Sequence, residues 1–115
     1  MAEFLSVNIK DNMQAVDVAI AEFLIALESA KIQNIKVLKV IHGYGSHGVG
    51  GAILKNLKSL LPALKRKKQI KDYFSGATFN LANQKVFELI TKVPDLALDE
   101  DLSTQNIGVT FIVLK

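Results

Sequence analysis

Five of the chain's seven glycines crowd into one stretch, His42-Gly43-Tyr44-Gly45-Ser46-His47-Gly48-Val49-Gly50-Gly51. A segment this rich in glycine reaches backbone conformations closed to other residues, so it reads as a loop. Its flanks constrain the fold. Before it, Ile35 to Ile41 is rich in branched apolar residues and broken only by Lys36 and Lys39, which predicts a central parallel strand with His42 at its carboxyl end. After it, Ile53, Leu54, Leu57, Leu60, Leu61 and Leu64 fall on one face of a helix, with Lys55, Asn56, Lys58 and Ser59 on the other. Pro62 is expected to end this helix or bend its last turn.

The remaining segments extend the same alternation. Phe4 to Ile9 reads as a first strand. Met13, Val16, Ile20, Phe23, Leu24 and Leu27 then form a helical stripe over about 12–31, with Asp11 or Asn12 as its N-cap. Lys65 to Lys68 is a solvated basic run, and Gln69 to Phe74 reads as a third strand. Asn80 to Val93 has a weaker helical pattern, Pro94 to Asp101 is an acidic loop, and Gly108 to Leu114 closes the chain as a strand. The order predicts an α/β fold: a two-layer sandwich with a mixed four-stranded sheet, its first two strands parallel, and a helix inserted before the last strand.

At 115 residues the chain is expected to be a single domain, 1–115. Half its residues are hydrophobic, enough to build a core. The absence of cysteine excludes disulfide scaffolds, thiolate zinc sites and cysteine catalysis, and agrees with a reducing cytosol. No signal peptide or membrane span is visible, so a cytoplasmic protein without membrane contact is expected. The formal net charge of +3 hides a segregation. Residues 29–71 hold ten of the fourteen Lys and Arg, both histidines and none of the eleven acids, giving +10 against −7 for the remainder. A basic stretch on an otherwise acidic chain is the electrostatic footprint of a polyanion site.

Gly43-x-Gly45-x-x-Gly48 has the spacing of a dinucleotide fingerprint, yet the acidic residue expected some 20 positions on is replaced by Lys65 to Lys68. It is no Walker loop either, because Val49 and Gly50 stand where Lys and Ser or Thr are required. What survives is the physics common to both: close backbone approach, and a helix N-terminus with unpaired N–H groups facing an anion. The alternative is a tight connection whose glycines only permit packing.

The run Val40-Ile41-His42-Gly43-Tyr44-Gly45-Ser46-His47-Gly48-Val49-Gly50-Gly51-Ala52-Ile53-Leu54 resembles the signature of the Smr (small MutS-related) domain, a strand ending in His-Gly-x-Gly-x-x-Gly before an amphipathic helix. The resemblance covers about 4–77 and resumes at the last strand. It implies a βαβαββ sandwich like the C-terminal domain of translation initiation factor three, and a role in DNA repair and recombination or RNA processing, in several members as a nicking endonuclease. The family's Leu-Asp-Leu-His-Gly motif aligns with Leu5-Ser6-Val7-Asn8-Ile9, so its aspartate and histidine become Ser6 and Asn8. Neither titrates near pH 7, which weakens the case for hydrolysis. The Gly-Gly-x-Gly before the last strand is reduced to Gly108, and 78–106 reads as an added helix and acidic loop.

The expected nucleic-acid-binding residues are therefore His42, Gly43, Tyr44, Gly45, Ser46, His47 and Gly48, with Lys55 and Lys58 on the next helix. His42 serves as a proton donor or as a brace for the loop backbone; it is the candidate catalytic residue if the chain is a nuclease, and only then is a divalent metal such as magnesium or manganese expected as cofactor. Neither histidine has clustered acidic neighbours in sequence, so no structural metal is expected. The favoured partner is a DNA or RNA backbone, with cleavage weak or lost. The alternatives are an active nicking endonuclease and a non-enzymatic domain that meets a protein partner through the acidic loop Asp95 to Asp101.

Overall fold

The structure, a computed structural model of the chain, describes residues 3–10, 15–43 and 49–115, the side chains of Val49 and Gly50 excepted. Its main elements are β1 (Phe4–Asn8), α1 (Val16–Ile32), β2 (Val37–Ile41), α2 (Val49–Arg66), β3 (Asp72–Ser75), α3 (Gln84–Lys92) and β4 (Val109–Val113). Short 3₁₀ turns occupy Gly76–Thr78 and Pro94–Leu98. The strands form one sheet in the order β1-β2-β4-β3. β1 runs parallel to β2, with Leu5 opposite Leu38, and β4 runs antiparallel to both β2 and β3. The α/β fold with a mixed four-stranded sheet is thus the one expected.

Strand alternation sorts the core into two clusters. Leu5, Val7, Leu38, Val40 and Ile112 face the pair α1 and α2, meeting Phe23, Leu27, Ile53, Leu57 and Leu61. Val37, Val109, Phe111 and Val113 face the other way, against Phe79, Val86, Leu89 and Leu96 of the segment between β3 and β4. The inserted helix therefore covers the second face of the sheet. The Phe111 ring is its centre, 4.3 Å from Phe79 and 5.1 Å from Phe74 between centroids. Covered on both faces, β2 reads as the near-continuous apolar run that marks a central strand.

Both long helices stop in the same way. Asn34 (φ 59°) and Lys68 (φ 61°) take the left-handed conformation just past α1 and α2. The next residue then donates back to the helix, Ile35 N to Ala30 O at 2.9 Å and Gln69 N to Leu64 O at 2.9 Å. These are Schellman closures, which satisfy carbonyls that the helix leaves open.

Some boundaries differ from expectation. α2 runs four residues past Pro62, to Arg66. The missing proline N–H leaves the carbonyl of the exposed Lys58 without its helical partner, while Leu61 and Leu64 keep the helix on the core. The N-cap of α1 is Ala15, which makes no side-chain cap; Asp11 and Asn12 lie outside the described residues. β3 begins at Asp72 because Gln69 closes α2 and buried Ile70 packs beneath the helices.

Candidate nucleic-acid interface

β1, β2 and β3 point the same way, so their carboxyl ends share one edge of the sheet with the start of β4. Ligands of open α/β sheets settle at such an edge. The glycine loop leaves β2 here. The N–H groups of His42 and Gly43 both donate to the Gly108 carbonyl at 3.0 Å, extending the β2–β4 pairing by one step. Gly43 then turns at φ 73°, a conformation that favours glycine. Tyr44, Gly45, Ser46, His47 and Gly48 lie outside the described residues.

His42 follows Leu38 and Val40 on the α1–α2 face and is fully buried. Its Nδ1 is 2.6 Å from the Gly43 carbonyl oxygen, which only accepts, so Nδ1 carries the proton. In the neutral ring Nε2 then accepts from the Thr110 hydroxyl at 2.8 Å. Burial pushes the imidazole pKa down; the Gly43 carbonyl opposes that shift and the nearby Lys58 charge adds to it. His42 thus stands as the brace that ties the loop root to β4, with both ring nitrogens engaged.

Ser6 and Asn8 share the face of Phe4, which packs against the insert, so strand alternation directs them away from the face that His42 occupies. Both are exposed. The structure does not bring these three positions to one point. Among the described residues, no group of three or more His, Cys, Asp or Glu gathers as a metal site.

The basic stretch divides. Lys39 leaves the surface altogether: its side chain is 3% exposed and lies between Asp99, at 3.0 Å, and Asp101. Desolvation alone would lower its pKa, but hydrogen bonds and charge from the two carboxylates outweigh it and raise it. Asp101, also receiving Asn106 and Thr104, is held below the usual carboxylate range despite its own desolvation. Two of the acids of the expected protein-docking loop are thus spent inside the molecule. Lys36 pairs with Glu3 at 3.0 Å, and Lys65 with Asp72 at 3.1 Å.

Of the rest, Lys31 is half-buried and donates to the Gln69 side chain at 2.8 Å, while Lys55, Lys58, Arg66, Lys67, Lys68 and Lys71 are exposed, none in an ion pair with a described residue. Lys55, Lys58 and Arg66 fall on one face of α2, a ridge roughly 16 Å long at 1.5 Å per residue. Lys58 also borders a cleft of about 280 Å³ between α2 and the β3–β4 ribbon, a feature that sequence reasoning missed. Its lining comes from α2, β3 and the start of β4, and no local pattern joins them. Among the described residues, no helix is long and apolar enough to cross a membrane.

No protein-family model, curated protein or solved structure matches the chain.

Proposed function

We propose that this is an Smr-like nucleic-acid-binding domain of DNA repair, recombination or RNA processing, which seats a phosphate backbone on the loop after β2 and on the Lys55/Lys58 face of α2. The observation that carries the reading is the ridge of α2, whose cations have no carboxylate partner among the described residues. Lys39, Lys36 and Lys65 have carboxylate partners, whereas Lys55 and Lys58, on the half of α2 that starts at the carboxyl edge of the sheet, present their charge to solvent, and Arg66 continues the ridge toward the opposite edge. Fixed cations in a row attract the regularly spaced charges of a polyanion and release its counterions.

Cleavage is weak or lost. Ser6 and Asn8 supply neither charge nor a proton acceptor at neutral pH, and His42 engages both nitrogens within the protein. Binding is tested by fluorescence anisotropy of the full chain against labelled single-stranded, duplex and branched DNA and matched RNA at low salt. Binding to at least one supports the reading; binding to none removes it. Metal-dependent nicking of supercoiled plasmid that vanishes in His42→Ala would reinstate the endonuclease reading.

A further inference from the structure

We propose that the cleft between α2 and the β3–β4 ribbon receives one unpaired nucleobase of a bound strand, so that the ligand is a single-stranded or locally opened nucleic acid. This rests on the phosphate-binding reading above and adds a site to it.

The cleft has an apolar body, formed by Leu54, Leu57 and Leu61 of α2 with Tyr73 of β3 and Ile107 before β4. At about 280 Å³ it lies just below the range of pockets that enclose drug-sized molecules, a size for a single flat ring system rather than an extended ligand. Lys58 stands on its rim with no described carboxylate partner, and Lys55 follows one turn away on the same ridge. A compact apolar body with an adjacent anion matches this lining, and a nucleotide has that composition.

The remaining polar groups fit the edge of a base. Thr110 directs its hydroxyl proton to His42 Nε2 and keeps oxygen lone pairs to accept with. Ser75 accepts from Ala77 N at 3.1 Å and keeps its proton to donate. One donor and one acceptor beside an aliphatic wall suit any base and select none strongly. Sequence-tolerant binding through the base face is the expected behaviour. A base stacked in a perfect duplex cannot enter without being extruded, so duplex lacks this contact.

The test is methyl and aromatic NMR of the full-length protein titrated with a short single-stranded oligoadenylate, the same strand in a perfect duplex, and ribose 5-phosphate. The single strand is expected to shift the methyl resonances of Leu54, Leu57, Leu61 and Ile107 and the Tyr73 ring, and to bind about tenfold more tightly than the duplex at equal salt. Ribose 5-phosphate is expected to leave those signals in place. If single strand and duplex both bind and neither moves the cleft signals, the cleft proposal is overturned and phosphate binding stands. If no oligonucleotide binds, both fall together.

Discussion

Two residues show how little room this scaffold leaves at the sheet edge. A Cβ added to Gly76 would stand 2.5 Å from Val109 Cγ2 and inside contact distance of the Asn106 carbonyl, a backbone atom that cannot turn aside. Gly76→Ala is expected to cost about 1–3 kcal/mol in urea denaturation, and an unchanged midpoint would show that the insert can yield. Outside the glycine-rich loop, nothing local in the sequence marks this glycine, because its neighbours are some thirty residues away. His42 carries the second prediction. Its folded pKa lies below the ordinary value because burial disfavours the imidazolium, so the unfolded chain takes the proton first as pH falls below about 6.5. Stability should therefore decline below that pH and be regained above it. In His42→Gln this part of the slope should disappear, and identical slopes in urea melts of the two proteins would contradict the assignment. The histidine itself was legible in the sequence from its place at a strand end; its burial and its Thr110 partner, 68 residues away, were not.

The elements were legible where their signals are local. Apolar runs with branched residues located the strands, and period-3.6 stripes located both long helices, since hydrophobic spacing reflects which faces are buried. The run through Pro62 was not legible: proline's local penalty was overridden by core contacts of Leu61 and Leu64 that only the folded chain supplies. Lys39 was misplaced for the same kind of reason. In sequence it is one more cation of a basic stretch, and its partners Asp99 and Asp101 sit about 60 residues on. In the fold it pins the insert to β2. Lys39→Met leaves two carboxylates without their cation in a poorly solvated place, and a loss of about 3–5 kcal/mol is expected. Adding Asp99→Asn and Asp101→Asn should recover most of that loss, since the amide at 101 keeps an acceptor for Asn106 and Thr104, and the amide at 99 one for the Asp101 N–H, without the charge. Chemical denaturation of the single and triple variants checks this; equal losses would mean that packing, not charge, dominates at Lys39.

Over the whole molecule, the insert packs back on the sheet rather than extending from it. The radius of gyration, 13.4 Å, matches the roughly 13 Å of a compact chain of this length. That packing redistributes charge. The ten basic residues between 29 and 71 looked like one surface in sequence, but folding buries Lys39, pairs Lys36 and Lys65, and leaves a narrower ridge along α2. The direction of the charge asymmetry was readable from the sequence; its final shape depends on long-range ion pairs and was not. The central claim is that the Lys55/Lys58 face of this ridge seats phosphates. Its most direct test is the salt dependence of oligonucleotide binding for the native chain and for Lys55→Ala/Lys58→Ala. The native protein should show a log–log slope of several released counterions, and the double variant a slope smaller by about 1.4–1.8, two phosphate contacts' worth. An unchanged slope in the double variant, or no binding by the native chain at low salt, would contradict the claim.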